Sequence, residues 1–292
     1  MSSLLSALLA YGAWGTGDTV GAVVSRKLSS WSIIFWGFLL RLSLYTLLIP
    51  FFLHDLQGIS LPIAGIAILV GLSSAVGYFT FYRSTAFANP TLVGAIAGSW
   101  GASSLLYSLV FLHEQPNAGQ WIAIIIIFTG LLLGIINTSR SKRGNITFAL
   151  MRNPGIIYAF ITMMLWGICG SFIKIPIAHI GWFWSTYALV VPFFIFAGYQ
   201  VVVKKNIPEN PVKKQIALFV GFYALLMVVA ECSYNIGIKY STISLFAPIG
   251  GSSTSLYTLL SLIIFRERLT TLQKFSVAIT ITGIVTLAFL SV

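Results

Sequence analysis

Long apolar segments separated by short polar turns run along the whole chain, and this alternation predicts ten membrane-spanning helices. Each segment has roughly 18 or more residues, the length needed to cross the hydrocarbon core of a bilayer. Turn dipeptides such as Asn89-Pro90 and Asn210-Pro211 lie between successive apolar segments. The predicted spans are 3–24, 31–53, 61–82, 91–112, 120–137, 154–177, 181–203, 214–238, 242–264 and 273–291.

The second half of the chain repeats the first at a shift of 153 positions. The matches fall on residue types that rarely coincide by chance, and they include Trp31 with Trp184, Glu114 with Glu267, Gln120 with Gln273 and Gly130 with Gly283. Trp14-Gly15 aligns with Trp166-Gly167 after a slip of one residue. We therefore predict a first five-helix repeat at 1–137, a basic linker at 138–153 and a second five-helix repeat at 154–292.

An odd number of spans in each repeat forces the two repeats into opposite orientations in the membrane. Inverted repeats are the usual design of carriers that work by alternating access, because a pseudo-two-fold axis in the membrane plane makes the two open states near mirror images. The fold prediction is therefore an all-α membrane protein of ten transmembrane helices arranged as two inverted five-helix repeats.

Composition and charge support a membrane location and indicate an orientation. The chain of 292 residues is 58% hydrophobic and 8% charged, whereas an ordinary soluble domain has about 25% charged residues. The net charge of +11 arises mostly in loops 1–2, 3–4, 5–6, 7–8 and 9–10. Positive charge marks the cytoplasmic side, so we expect no nucleic-acid partner and both termini outside the cytoplasm, with a bacterial inner (plasma) membrane as the location.

Four charged residues stand out inside the predicted spans: Asp18, Arg41, Lys174 and Glu231. A charge near the bilayer centre costs about 2.5–3.5 kcal/mol on insertion scales, so its retention requires a partner or a function. Tracing the direction of each span places Lys174 and Glu231 at similar depth, and Asp18 nearer to Arg41. We therefore predict two ion pairs, Asp18–Arg41 and Glu231–Lys174, which either fasten helices together or bind substrate charge and a coupling proton.

Polar and aromatic residues recur at helical spacing on six spans, the first, third, fourth, sixth, eighth and ninth. We expect these faces to converge on a central substrate cavity. The predicted binding residues are Trp14, Asp18, Tyr78, Tyr82, Trp100, Ser103, Trp166, Lys174, Glu231, Tyr234, Asn235 and Tyr257. Such stripes also arise from packing alone. Glu114 and Glu267 are interpreted as residues favoured by a helix-start dipole and not as ligands.

The ends of the two repeats resemble the EamA-type carriers of the drug/metabolite transporter superfamily. The resemblance covers the whole chain and rests on Leu112-His113-Glu114 with Gly119-Gln120, and on Phe265-Arg266-Glu267-Arg268-Leu269 with Gln273. It implies a pocket between two four-helix cores, with the fifth and tenth helices peripheral. Members of this family move amino acids, nucleosides, sugars, cations and drugs. The common family expectation places both termini inside, opposite to the charge bias of this chain.

The sequence therefore predicts a secondary transporter that moves a small metabolite, an amino acid or related zwitterion, by alternating access. The alternatives are an organic cation or drug exporter of the same fold, a membrane-embedded enzyme and a channel. We expect no enzymatic activity, because no catalytic cluster lies on one face, and no cofactor or metal site. The expected partners are a small-molecule substrate, the lipid bilayer and protons, and the pattern is compatible with a monomer.

Overall fold

The protein is a bundle of helices. The computed structural model describes residues 3–25, 27–88, 90–140, 153–211, 213–265 and 271–290, and every regular element in them is helical. The α-helices are α1 (Ser3–Val24), α2 (Ser30–Leu48), α3 (Leu61–Phe87), α4 (Pro90–Gly98), α5 (Trp100–Phe111), α6 (Ala118–Arg140), α7 (Pro154–Phe172), α8 (Lys174–Val190), α9 (Phe193–Gly198), α10 (Lys214–Lys239), α11 (Ile243–Gly251), α12 (Ser253–Phe265) and α13 (Thr271–Phe289).

These helices supply the ten predicted spans. The fourth span consists of α4 and α5, and the ninth of α11 and α12. The sixth consists of α7 and the start of α8, and the seventh continues through α9 to a π-helical end at Tyr199–Val203. By length and composition, five segments are long and apolar enough to cross a membrane: Trp31–Phe51, Leu61–Phe81, Pro154–Phe172, Lys174–Val203 and Lys214–Lys239. The predicted all-α membrane fold is confirmed.

Local sequence signals account for several helix starts. Asn117 and Gln120 form a reciprocal cap at the start of α6, because each side chain accepts a hydrogen bond from the other residue's backbone N–H at 2.9 Å. This pairing satisfies N–H groups that the first helical turn leaves unpaired. Asn153 caps α7 by accepting from the N–H of Gly155 at 2.8 Å, with Pro154 in the first turn. Most of the predicted linker 138–153 lies outside the described residues, and its bounds remain a prediction.

Gly181 separates the sixth span from the seventh. Its backbone has φ 72° and ψ 170°, a combination open to glycine and costly for residues with a Cβ. A Cβ at this position would also lie 2.9 Å from Oδ2 of Asp55. The helix direction changes here, so residues 174–180 continue the sixth span and the seventh begins at Trp182.

The fourth and ninth spans are broken at equivalent residues, Ser99 and Ser252. Ser99 N–H bonds to the carbonyl of Ile96 at 3.1 Å, and Ser252 N–H bonds to that of Ile249 at 3.1 Å. In both cases the N–H bonds to the carbonyl three residues earlier, as in a tighter 3₁₀ turn. The two break points are 153 positions apart, which is the shift found in the sequence. The duplication therefore extends to backbone irregularities that hydropathy does not reveal.

Contacts between the repeats are related by the same shift. A Cβ on Gly98 would meet Thr254, and a Cβ on Gly251 would lie 2.7 Å from the backbone N of Gly101. Position 98 corresponds to 251, and position 254 corresponds to 101, so the two contacts are equivalent when the repeats are exchanged, as expected for a pseudo-two-fold axis between the fourth and ninth spans. Small residues at this crossing let the backbones approach closely.

The same axis relates the remaining helices. α1 packs against α10 and α12, while its counterpart α7 packs against α3 and α5. α6 and α13 pack mainly against each other, away from the cavity described below. Two equivalent indoles join the repeats near the loops: Trp31 Nε1 donates to the carbonyl of Asn206 at 2.9 Å, and Trp184 Nε1 donates to that of Phe52 at 2.7 Å.

Candidate functional site

A central cavity lies between the two repeats and contains about 660 Å³ of empty space, part of it open to the outside. Its walls come from all six spans that carry the predicted polar faces, and also from the seventh. The lining residues are Trp14, Asp18, Ser74, Tyr78, Trp100, Trp166, Cys169, Gly170, Ile173, Leu189, Glu231, Tyr234, Asn235 and Ser253.

Three rings form one wall of the cavity. Trp14 lies edge-on to Trp100 with ring centroids 5.6 Å apart, and Tyr234 lies 5.2 Å from Trp14 and 5.7 Å from Trp100. The Tyr234 hydroxyl donates to the carbonyl of Gly170 at 3.1 Å, which fixes the ring. Because α1 and α5 belong to the first repeat and α10 to the second, the cluster joins the two repeats.

A second aromatic wall is formed by Tyr78 and Trp166, whose ring centroids are 5.2 Å apart in an edge-to-face arrangement. Gly77 allows this approach, since a Cβ there would meet Nε1 and Cδ1 of Trp166. Each wall contains residues of both repeats, and Trp14 and Trp166 are repeat equivalents. Electron-rich ring faces of this kind attract cations.

Two carboxylates line the cavity, in different environments. Glu231 is buried; its Oε1 accepts from Nη2 of Arg41, and its Oε2 accepts from the hydroxyl of Tyr45 at 2.7 Å. Asp18 is partly exposed, and no hydrogen bond or ion pair joins it to any other described residue. No lysine or arginine is among the described residues that line the cavity.

Both predicted ion pairs are wrong. Arg41 binds Glu231 and not Asp18, while Lys174 binds Oε1 of Glu114 at 2.7 Å and not Glu231. The depth assignment was wrong for Glu231, which was placed level with Lys174 and instead meets Arg41, and depth along a span also does not identify the lateral neighbour. α10 packs against α1, α2 and α8, so Glu231 faces Arg41 of α2, and Lys174 reaches the loop before α6.

Glu114 joins the two repeats at the end of the bundle that carries the chain termini. Besides Lys174, its carboxylate accepts from the N–H of Ile243 at 3.0 Å and of Ser244 at 2.7 Å. It therefore occupies a helix start, as predicted, but that of α11 in the other repeat. Burial raises the pKa of Glu114, and the hydrogen bonds from Lys174, Ile243 and Ser244 together lower it below the ordinary value.

The structure brings eight of the twelve predicted binding residues to the cavity: Trp14, Asp18, Tyr78, Trp100, Trp166, Glu231, Tyr234 and Asn235. Lys174, Ser103 and Tyr257 do not line it; the hydroxyl of Ser103 instead points to Sδ of Met164 at 3.7 Å. The side chain of Tyr82 lies outside the described residues, as does Glu267. The role of each residue in binding remains a prediction.

Sequence reasoning missed several residues that helical spacing could have found. Ser74 precedes Tyr78 by four positions and Cys169 follows Trp166 by three, so each shares a helix face with a predicted residue. Tyr45 follows Arg41 by four positions and donates to the same glutamate. Leu189 had no such signal, because the seventh span carries no buried charge. Within the described residues, no group of three His, Cys, Asp or Glu could hold a metal ion.

Comparison with known proteins decides the family. The model of the EamA-like transporter family matches residues 1–136 and 153–289, one match for each repeat. This chain belongs to the EamA-like transporter family. A search of curated proteins found no match.

A solved structure shares the fold of this chain over nearly its full length. This structure, described only as the crystal structure of a protein, has a TM-score of 0.78 and 15% sequence identity. The alignment covers 99% of this chain and 97% of the other. At this identity the likeness establishes the fold alone, and family membership establishes an integral membrane transporter of the drug/metabolite superfamily.

Proposed function

We propose that this chain is a secondary transporter of small organic cations that works by alternating access, with Asp18 as the group that binds the positive charge. The observation that carries this proposal is an unpartnered carboxylate in a cavity walled by indole and phenol rings. A carboxylate supplies charge, and ring faces attract ammonium groups by cation–π interaction.

The charge of the cavity favours a cation over the zwitterion that the sequence predicted. That prediction depended on Lys174 as a partner for a substrate carboxylate, and Lys174 is bound to Glu114. Arg41 neutralises Glu231, so Asp18 leaves the described lining with one uncompensated negative charge. A monovalent cation matches that charge.

An amino acid is the second candidate, supported by neutral polar groups in the same cavity. Ser74 and Ser253 present hydroxyls, and Asn235 uses one amide N–H to bind Oγ1 of Thr186 at 2.7 Å and retains a second. These donors suit a carboxylate whose amine binds Asp18. Direct competition between a cation and an amino acid separates the two candidates.

Alternating access is supported by the pseudo-two-fold arrangement and the broken spans. Breaks at Ser99 and Ser252 lie beside the cavity residues Trp100 and Ser253, as in transporters whose discontinuous helices form the substrate site. Opening at the terminal side requires loss of the Glu114 contacts to Lys174 and α11. Opening at the other side requires the loop after the seventh span to leave Trp31 and Trp36, whose indoles bind Asn206 and Glu209 carbonyls.

The proposal is tested by counterflow in proteoliposomes with labelled tetramethylammonium and labelled leucine. We expect internal unlabelled tetramethylammonium to drive transient accumulation of the labelled cation, because a carrier exchanges substrate across the membrane. Exchange of leucine alone would support the second candidate. Flux without exchange would indicate a channel, and failure of both labels would contradict the substrate proposal.

We also propose that both termini lie outside the cytoplasm of a bacterial plasma membrane, on the strength of the basic loops. The test is a pair of fusions after Val292, one to alkaline phosphatase and one to green fluorescent protein. Activity of the phosphatase, which folds outside the cytoplasm, is expected. Fluorescence without phosphatase activity would reverse the orientation.

A further inference from the structure

We infer that Arg41 is a specificity-determining residue that restricts the cavity to ligands with a single positive charge. Arg41 does not line the cavity itself, and it acts through an ion pair that neutralises the charge of Glu231. The inference rests on the proposed function, since it concerns the charge of the cation that the same cavity accepts.

Arg41 is fully buried in α2 and does not line the cavity. Its Nη2 donates to Glu231, while Nε and Nη1 have no hydrogen-bond partner among the described residues. The guanidinium lies 4.3 Å from the ring centroid of Phe38 and 5.7 Å from that of Tyr78. Because Glu231 and Tyr78 both line the cavity, they separate the cation from any ligand there.

Both carboxylate oxygens of Glu231 are bound by residues that do not line the cavity. One oxygen accepts a hydrogen bond from the Arg41 guanidinium, and the other accepts one from the Tyr45 hydroxyl at 2.7 Å. A ligand that enters the cavity therefore meets two carboxylates, of which only Asp18 lacks a counter-charge. The second ammonium of a dication would have to compete with Arg41, and a buried charge without a partner is strongly unfavourable.

The cluster is not required by the architecture of the repeat. In the register of the duplication, Arg41 corresponds to Phe194, Glu231 to Tyr78 and Tyr45 to Gly198. At the positions equivalent to Arg41 and Tyr45, the second repeat has the aromatic residue Phe194 and the glycine Gly198. An apolar residue is therefore compatible with this position in the fold.

The test compares butylammonium with 1,4-diammoniobutane, which share a four-carbon chain and differ by one charge. Binding is measured at pH 8 on purified protein in lipid nanodiscs. We expect wild type to prefer the monocation, and Arg41→Met to reverse that preference by about tenfold or more, since a bond to a charged group contributes that much. Arg41→Met/Glu231→Gln removes both charges and should restore the wild-type preference.

Glu231→Gln is the second single variant and covers the case in which Arg41→Met does not fold. It leaves Arg41 unneutralised, so affinity for both amines should fall by about tenfold or more. A pair that only fastens helices predicts an altered unfolding temperature with unchanged relative affinities, and that result would overturn the inference. If wild type binds neither amine, the proposed function itself fails.

Discussion

Lys174 of the second repeat donates a hydrogen bond to Glu114 of the first, with Nζ and Oε1 2.7 Å apart. The same carboxylate accepts the N–H groups that start α11. The equivalent positions at the opposite end of the bundle carry different residues, because position 243 corresponds to Pro90, which has no N–H, and position 174, after the slip of one residue, corresponds to Ala22. The contacts that close the two ends are therefore chemically different.

We expect Glu114→Gln to favour opening at the terminal side, because it removes the charge that holds Lys174 and α11. In a Cys232→Ser background, Cys169 of the cavity reports access to a membrane-impermeant thiosulfonate. Its modification from the terminal side should accelerate several-fold. Glu209→Gln is the matched control, since Glu209 lies in the loop at the other end. Equal acceleration from both sides would contradict this assignment.

The Glu114 contacts should also weaken in acid. The pKa of Glu114 is lower in the folded protein than its ordinary value, so the stabilisation is present above the ordinary pKa and is lost as pH falls through the folded value. Below about pH 4, the range in which glutamate protonates, wild type should lose thermal stability faster than Glu114→Gln. Thermal unfolding of both proteins in detergent between pH 7 and pH 3 measures the difference. If the unfolding temperatures of wild type and Glu114→Gln fall in parallel, the Glu114 contacts do not contribute to the pH dependence.

Asp18→Asn should abolish most cation binding while leaving the fold intact. A bond from an ammonium to a carboxylate in a desolvated site contributes about 1.5–3 kcal/mol, which corresponds to about 10- to 100-fold in affinity. Asp18→Glu should retain part of the affinity. Asp55→Asn, outside the cavity and next to His54, is the control and should bind normally. Unchanged affinity in Asp18→Asn would remove this residue from the site.

Trp100→Leu should weaken cation binding by about 2- to 30-fold, the range expected from a cation–π contact of about 0.5–2 kcal/mol. Trp100→Phe keeps a ring face and should lose less. Trp121→Leu removes an indole that is partly exposed on α6, remote from the cavity, and should have no effect. If the leucine and phenylalanine variants at position 100 lose affinity equally, the ring contributes volume and not electrostatic attraction.

Gly251→Ala should destabilise the contact between the repeats, because its Cβ would lie 2.7 Å from the backbone N of Gly101. Relieving that clash requires a shift of one of the two backbones, which is energetically costly. Gly94→Ala is the matched control in the equivalent half of the fourth span. Nothing lies within 4 Å of a Cβ there, so alanine should be neutral or stabilise the helix by up to about 1 kcal/mol. Thermal unfolding of the two variants gives the comparison, and an equal effect would contradict the close crossing.

Much of the candidate site could be predicted, because residues three or four positions apart share a helix face whatever packs against it. Trp14 with Asp18, and Glu231 with Tyr234 and Asn235, are of this kind, and all five line the cavity. Lys174 was placed there by the same logic and lies outside it. Its span turns at Gly181 and its side chain meets a loop of the other repeat, which no pattern within one helix reveals.

Hydropathy and the shift of 153 positions were sufficient to predict the ten spans, the duplication and the inversion, because these depend only on the length, order and number of the segments along the chain. Which side chains contact each other depends instead on how the helices pack beside one another. Depth along the spans did not decide the partners of Arg41, Asp18, Lys174 and Glu231, because which carboxylate meets which base depends on how α1, α2, α8 and α10 lie beside one another. That packing leaves Asp18 on the wall of the cavity without an ion-pair partner among the described residues.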